Sequence, residues 1–359
     1  MTSHRNVMSL RRSAATGLIV TLGLCGALAS PGEARREMLT DAQKGRLHQA
    51  ERIQLDVLAL TDQGTADPSP LRTAVTTRLQ ALGYTIVQDP AQPHDLVVKV
   101  KCEQKKTWEG PVRSGGEADQ PGDADRLWAG PACQFTYRLD HHWSDWRHEV
   151  RATAPPETGP QSLAHLTDRL REDPFPFLLA AEWGQPARLL VALNEPATTA
   201  PHRVNLISLL GNMFAVEAIP PLSQAVKDPD PAVAQTAAVA LGTIGHHDCI
   251  PVLLELLKSD TPAMHLAAIK GLGRLAPLHP QDDIVPALLD RLPTRPIAAQ
   301  IEIVRALGKT TDRRILVPLR ALNRSVQARS RSDSSAELKE LKTALGIALD
   351  QFDGTHTPE

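Results

Sequence analysis

The chain has 359 residues, a formal net charge of -2 and an aromatic content of only 3%. This length is sufficient for two domains, each with its own core. The near-neutral charge gives no general attraction to nucleic acid or to an anionic lipid surface, and we expect no nucleic-acid partner. A core with so few aromatic side chains must be built from Leu, Ala, Val and Ile, which favours close-packed helices over an aromatic-rich β-sandwich.

Residues 1–29 have the pattern of a secretory signal peptide. An apolar run at 14–28 follows a basic segment, and it is shorter than the roughly 20 residues that a membrane span needs. Small residues occupy positions -3 and -1 of a cleavage site, at Ala27 and Ala29. The basic residues are Arg5, Arg11 and Arg12.

Cleavage at this site would start the mature chain near Ser30 and change its net charge to about -5. We therefore expect a periplasmic or secreted protein with no transmembrane segment in the mature chain. Retention of the segment as an anchor is the alternative. Lipid modification of Cys25 is disfavoured, because Leu24 is bulky where such a site needs a small residue.

Residues 30–50 are expected to form a linker or helix ahead of an α+β domain at 51–158. A helix with Ser69 as its N-cap and Pro70 at its first position is predicted to end at Gly83. The order of strands and helix predicts a mainly antiparallel sheet with one helix packed on it. The strands are predicted at 53–60, 84–87, 96–102, 133–143 and 147–154.

Two cysteines lie on the inward-facing side of strands that we expect to be neighbours. Cys102 shares a face with Val98 and Val100, and Cys133 shares one with Phe135. An exported protein meets an oxidising environment, so we predict a Cys102–Cys133 disulfide, with two free buried thiols as the alternative.

The segment between these strands, 107–131, is rich in Gly, Pro and Asp and is predicted to be a mobile loop. Trp108 and Trp128 flank it. They are expected to anchor the base of the loop, and a binding clamp is the alternative.

A hairpin with its turn at Ser144 and Asp145 would place His141 opposite His148. Two histidines facing each other can hold a metal ion, but zinc normally takes at least three protein ligands and no third is evident. The same register puts Asp140 opposite Glu149, which is unfavourable. Structural histidines are therefore the preferred interpretation, and a metal site remains the alternative.

Connecting helices are expected at 159–186, and the sequence then repeats over 187–325. A Leu-Gly pair recurs at intervals of 31 to 35 residues, each time followed by a polar turn and a proline early in an apolar helix. Two helices per unit at this period predict a stacked helical solenoid. The pairs begin at Leu210, Leu241, Leu272 and Leu307, and the prolines are Pro220, Pro251, Pro286 and Pro318.

In these residues the chain resembles the HEAT-repeat family, most closely the short type found in phycobilisome lyases. The resemblance implies an all-α superhelical solenoid and a role in protein binding, and it leaves the N-terminal half unassigned. One feature of the family differs: Ala234 and His265 stand where the second helix often carries arginine. We therefore expect the arginine ladder along the stack to be missing.

His246, His247, Asp248 and Cys249 form a cluster that could suggest a metal or catalytic site. Aligning the prolines places Cys249 level with Ala218, Ile284 and Leu316, all of them apolar. We therefore predict a buried core cysteine in a turn between two helices, with a metal site at the histidines as the alternative.

After a predicted linker at 326–333, residues 334–352 are predicted to form a final helix that covers the apolar end of the stack. Ser334 and Glu337 give it a capping-box start. Positive charge concentrates just before it. Arg313, Arg314, Arg320 and Arg324 form a possible partner surface, and a solvated face is the alternative.

The sequence contains none of the common nucleotide, hydrolase or metalloprotease motifs, and we assign it no catalytic residue and no cofactor. The leading hypothesis is an exported HEAT-repeat scaffold or adaptor that binds a protein partner in the cell envelope, with an acidic protein as one candidate. Two alternatives stay open: a tetrapyrrole-binding or lyase-like protein, suggested by the resemblance, and a metal-binding protein that uses His141 and His148.

Overall fold

The structure is a computed structural model that describes residues 39–109, 127–152, 160–259, 261–280, 282–333 and 335–353. The predicted signal peptide and its cleavage site lie outside these residues, as does most of the predicted mobile loop. The ends of the predicted loop belong to strands, because one strand extends to Glu109 on one side and the next begins at Leu127 on the other.

Seven strands of the described chain form one mixed sheet with the order β2-β1-β4-β5-β6, where β3 also pairs with β1 and β7 with β5. A short helix, α1 (Asp41–His48), precedes the first strand, and α2 (Ser69–Ala81) follows the second. The strands are β1 (Arg52–Thr61), β2 (Gly64–Ala66), β3 (Thr85–Val87), β4 (Leu96–Glu109), β5 (Leu127–Leu139), β6 (His142–Trp143) and β7 (His148–Arg151).

The expectation of a mainly antiparallel sheet is correct only in part. β1 runs parallel to β3 and to β4. The reason is the crossover through α2, which carries the chain back so that β3 starts at the same end as β1. The pairs of β5 with β4, β6 and β7, and of β1 with β2, are antiparallel.

Helix α2 begins one residue earlier than predicted, with Pro68 at the cap position. The side chain of Asp67 accepts hydrogen bonds from the backbone and the hydroxyl of Ser69, at 3.0 and 2.6 Å. Ser69 is therefore the first helical residue and not the N-cap. Proline is tolerated next to it because the first N–H groups of a helix have no partner within the helix.

The rest of the described chain is helical. Helix α3 packs on β4, β5 and β7 as well as on α2, so the sheet carries more than the single predicted helix. The helices are α3 (Pro160–Glu172), α4 (Phe175–Glu182), α5 (Pro186–Asn194), α6 (Ala200–Asn212), α7 (Ile219–Ala225), α8 (Pro231–Ile244), α9 (Ile250–Leu256), α10 (Pro262–Leu275), α11 (Ile284–Arg291), α12 (Ile297–Leu307), α13 (Leu316–Arg329) and α14 (Ala336–Asp353).

The recurring glycines explain how the second helices of the repeats stack. A Cβ atom on Gly242 would lie 2.3 Å from the Cα atom of Gly271 in the next second helix. Equivalent close approaches join Gly211 to Ala240 and Gly273 to Ala306. The second helices α6, α8, α10 and α12 therefore pack directly against one another in series. A side chain at the glycine positions would hold neighbouring helices apart.

The last repeat differs by one residue from the proline alignment. Ala218, Cys249 and Ile284 are fully buried, and in the last repeat the fully buried equivalent is Ile315, not Leu316. A short 3-10 turn ends at Ala218, Cys249 and Ile315 alike. Ile315 lies eight residues after Leu307, as Ala218 lies after Leu210 and Cys249 after Leu241, so the loop keeps its length and only the proline is displaced, by one residue, to Pro318.

Helix α13 continues through much of the predicted linker and ends at Arg329. Helix α14 then packs on α12 and α13. Its leucines Leu338, Leu341, Leu345 and Leu349 are all buried, as expected for a helix that closes the stack. Ser334 lies outside the described residues.

One hydrophobic core runs from Leu47 to Leu349 and includes the sheet, α2 and the repeats. Where the sheet meets the helices, the buried Trp183 ring makes edge contacts with Tyr84 and Tyr137, at 5.5 and 5.7 Å between centroids. Gln185 accepts a 2.7 Å hydrogen bond from the Tyr84 hydroxyl and donates to the carbonyl of Leu47. Aromatic packing and a buried polar network thus hold the two parts together.

Candidate functional site

Cys102 and Cys133 lie directly opposite each other on β4 and β5 and form a disulfide. Both are fully buried. The inward faces deduced from the alternation of the strands are correct for both residues. The bridge ties two central strands together beside the loop ends, so it is a structural feature of the sheet.

The predicted hairpin is wrong in its register, and His141 and His148 do not face each other. The chain turns at Asp140, whose φ is +54°, so His142 pairs with Leu139 while His148 lies opposite Phe135. Asp140 is held in this turn by an ion pair with Arg46 of α1.

His148 instead contacts a carboxylate from another element. Its Nε2 atom lies 2.7 Å from Oδ1 of Asp173, in the loop between α3 and α4. The same carboxylate oxygen accepts from the backbone N–H of Phe175. His148 thus connects β7 to the start of α4, which agrees with the structural interpretation and not with a two-histidine metal site.

The second histidine cluster occupies the turn between α8 and α9, as predicted. Gly245 ends α8 in the left-handed conformation with φ +72°, and His246 starts the 3-10 turn that precedes α9. Cys249 is free and fully buried. Burial raises the pKa of its thiol to about 11, so no thiolate is presented for covalent attachment of a pigment.

The histidine side chains of this turn converge on one carboxylate. His246 Nδ1 lies 3.2 Å from Oδ2 of Asp248, and His247 Nε2 lies 2.9 Å from its Oδ1. Among the described residues, His246, His247 and Asp248 are the group of three that brings potential metal-ligand atoms together. The cluster is visible in the sequence, but the sequence does not show that a ring nitrogen of each histidine approaches the carboxylate of Asp248.

The basic residues of the predicted partner surface lie in the 3-10 turn before α13 and on α13 itself. Arg313 is in the preceding 3-10 turn, and Arg320 and Arg324 are exposed on the helix. Arg314 forms a 2.6 Å ion pair with Asp312 and lowers the pKa of that carboxyl.

Sequence reasoning missed the apolar member of this surface, Val317. It is 79% exposed, whereas Pro220, Pro251 and Pro286 occupy the equivalent position in the other repeats. Val317, Arg320 and Arg324 are spaced by three and four residues and so share one face of α13. The sign of this exposure in the sequence is that the proline of the last repeat, Pro318, lies one residue later than in the other repeats.

The expected loss of the arginine ladder needs correction at one position. Arg203 lies seven residues before Leu210, as Ala234, His265 and Gln300 lie before their own leucines. Arg203 Nη2 lies 3.2 Å from Oδ1 of Asp228 in the following turn. The first helix pair therefore keeps an arginine that bridges two units.

The equivalent position in α10 is occupied by His265, which is buried. Burial lowers the pKa of His265, and the nearby Arg295 and Arg291 lower it further. Its Nε2 atom has no hydrogen-bond partner among the described residues. His265 is therefore an uncharged side chain in the stack at neutral pH.

A cleft of about 420 Å³ lies between the start of α2 and helix α3. Leu71 and Leu163 form part of its wall, and Asp67, Asp168 and Arg171 supply its charged groups. Arg171 is already paired with Asp168 at 3.0 Å. Nothing in the sequence pattern identified this cleft.

Comparison with solved structures finds matches at low identity. A crystal structure of an engineered protein is 19% identical, covers 51% of this chain and 85% of its own, and has a TM-score of 0.35. A second engineered protein is 18% identical, covers 54% of this chain and 55% of its own, and has a TM-score of 0.33. Human deoxyhypusine hydroxylase in complex with glycerol is 17% identical, with coverages of 55% and 86% and a TM-score of 0.26.

No curated protein matches the sequence significantly. In the part of the chain that the structure describes, no helix combines the length and the apolar character needed to cross a membrane. One family model does match, described as HEAT repeats, over residues 187–273. This match confirms the resemblance seen in the repeated Leu-Gly pairs, and the N-terminal half remains without a family. Residues 187–273 of the chain therefore match the HEAT-repeat family.

Proposed function

We propose that the protein is an exported scaffold of the cell envelope that binds a protein partner through its helical repeats. HEAT repeats typically serve protein interaction, which supports the scaffold role. The stacked repeats would form a superhelix with an extended concave surface. The basic and apolar segments at the N-terminus support export, as in a signal peptide.

The exposed valine of the last repeat is the observation on which the proposed binding surface depends. Val317 projects from α13 where the preceding repeats carry proline, and it is 79% exposed. An exposed apolar side chain among long cationic ones is the composition of a small interface centre with a polar rim. We therefore assign the partner surface to Arg313, Val317, Arg320 and Arg324.

The charge and composition of this surface favour a partner whose binding face is acidic at the rim and has an apolar residue that contacts Val317. Cationic side chains at the rim of an interface accelerate association with an acidic surface and suppress binding of basic ones. After cleavage at residue 29, the mature chain would carry a net charge of about -5. The basic face is therefore a local feature and not a consequence of the overall charge.

The test is affinity capture of the full-length protein from its native envelope with chemical cross-linking. The double variant Arg320→Glu with Arg324→Glu should reduce capture of the main partner by about tenfold or more, because like charges would then meet at the rim. The matched control is Arg169→Glu with Lys270→Glu, which makes the same change in net charge at exposed residues of α3 and α10.

Equal capture by the two double variants would disprove the surface, provided that both have the circular dichroism spectrum of the parent. Export is tested separately. The protein from fractionated cells should begin near Ser30 and occur outside the cytoplasm. An intact N-terminus on cytoplasmic protein would disprove the export proposal and leave the binding surface to be judged on its own.

A further inference from the structure

The turn between α8 and α9 gathers three potential metal ligands within a few ångströms. His246 Nδ1 and His247 Nε2 lie 3.2 and 2.9 Å from the two carboxylate oxygens of Asp248. The centroids of the two imidazole rings are only 4.2 Å apart. One nitrogen from each ring is thus directed at the same carboxylate.

The hydrogen bonds of this turn leave lone pairs facing each other. His246 Nδ1 accepts a hydrogen bond from the backbone N–H of Asp248, so it presents a lone pair. The same atom lies 3.2 Å from Oδ2, which is also an acceptor. An imidazole nitrogen cannot accept from one group and donate to another at once. A cation between the nitrogen and the carboxylate would satisfy both lone pairs.

The next repeat brings a fourth candidate ligand to the same place. His279, in the loop after α10, has its ring centroid 6.4 Å from that of His247. Its Nε2 atom lies 3.2 Å from the carbonyl oxygen of Gly245, the residue before His246. Its Nδ1 atom lies 3.9 Å from Oδ2 of Asp282, so the side chain would leave both contacts and rotate toward Asp248 when it binds an ion.

We propose that His246, His247, Asp248 and His279 bind one transition-metal ion, such as Zn²⁺, that connects two successive repeats. Three imidazoles and one carboxylate match the ligand types and the coordination number of zinc. Ca²⁺ and Mg²⁺ prefer oxygen ligands and are not expected to bind here. The ion would fix the turn before α9 to the loop before α11 and stiffen the stack beyond what apolar packing supplies.

The experiment uses the full-length protein after removal of metals with a chelator, followed by titration with ZnCl₂. We expect one Zn²⁺ per chain by calorimetry, and an increase in the unfolding midpoint by about 4 °C at saturation. MgCl₂ should give no shift. His247→Ala should abolish the shift, and because the His247 side chain is 64% exposed the variant should fold normally. His165→Ala, at an exposed histidine of α3, is the matched control and should behave as the parent.

His279→Ala tests the connection between repeats. It should weaken Zn²⁺ binding by about tenfold or more, as the loss of a metal ligand does. The proposal is overturned if the parent protein shows no zinc-dependent shift, if His247→Ala retains the parent's shift, or if His279→Ala binds Zn²⁺ with the parent's affinity.

Discussion

Gly242 and Gly271 show at the scale of single residues how closely the repeats approach each other. A Cβ atom on Gly242 would meet backbone, which cannot move aside as a flexible side chain can. The sequence displays the recurrence of this glycine, but its reason is visible only in the packing of α8 on α10. A residue that is unfavourable in a helix is retained here because the neighbouring helix occupies the space of its side chain.

Gly242→Ala should lower the free energy of unfolding by about 1–3 kcal/mol, because the added methyl group forces two helices apart. Gly346→Ala is the control in α14, where nothing lies within 4 Å of the added Cβ. It should raise stability by about 0.5–1 kcal/mol through helix propensity alone. Chemical denaturation of the two variants and the parent checks both values, and equal effects would contradict the close-packing interpretation.

We expect the stability of the folded protein to depend on pH because of His265. Its folded-state pKa lies below the ordinary value of 6.5, because of burial first and of Arg295 and Arg291 second. The unfolded chain therefore binds a proton that the folded chain does not, and stability should fall as the pH drops below about 6.5. His265→Ala, which copies Ala234 of the preceding repeat, should reduce this slope in thermal melts between pH 7 and pH 5. An unchanged slope would show that other groups cause it.

At the scale of elements, the β4–β5 pair is the part of the sheet that the sequence describes best. The alternation of apolar and polar residues along these strands shows which face points inward, and Cys102 and Cys133 both lie on that face. The register predicted for the hairpin beyond it is wrong. Asp140 is in the left-handed conformation, which ends the strand there and places the turn earlier than predicted. The ion pair of Asp140 with Arg46 of α1 holds the turn there, and local sequence does not show that contact.

Replacing both bridge cysteines by alanine should lower the free energy of unfolding by about 3–4 kcal/mol, because the disulfide closes a long loop in the unfolded chain. The residues are 31 positions apart. A non-reduced digest of the parent should contain the Cys102–Cys133 linked peptide, while Cys249 should resist alkylation until the protein is denatured. Absence of the linked peptide would show that the bridge does not form.

At the scale of the whole molecule, the sheet and the repeats share one hydrophobic core. Trp183 lies at their junction, where its fully buried ring contacts Tyr84, just before β3, and Tyr137 in β5. Stability in one part should therefore depend on packing in the other, although the two parts differ in secondary structure.

Trp183→Ala should destabilise the protein by about 3–5 kcal/mol, the usual cost of truncating a buried aromatic residue. The effect should reach the repeats. The denaturant concentration at which Cys249 becomes reactive should fall together with the midpoint measured by circular dichroism. A lower midpoint without earlier exposure of Cys249 would mean that the repeats unfold independently of the sheet.

The sequence by itself determined the features that depend on local periodicity. The repeating helix pairs, the inward faces of Cys102 and Cys133, the buried Cys249 and the final covering helix all follow from the spacing of apolar residues, because burial imposes that spacing on the chain. The tertiary structure decided the features that join distant residues: the parallel pairing of β1, the exposure of Val317, the contact of His148 with Asp173, and the approach of His279 to His247. The physical reason is that these contacts depend on how separate elements pack, and no local pattern in a single sequence records that packing.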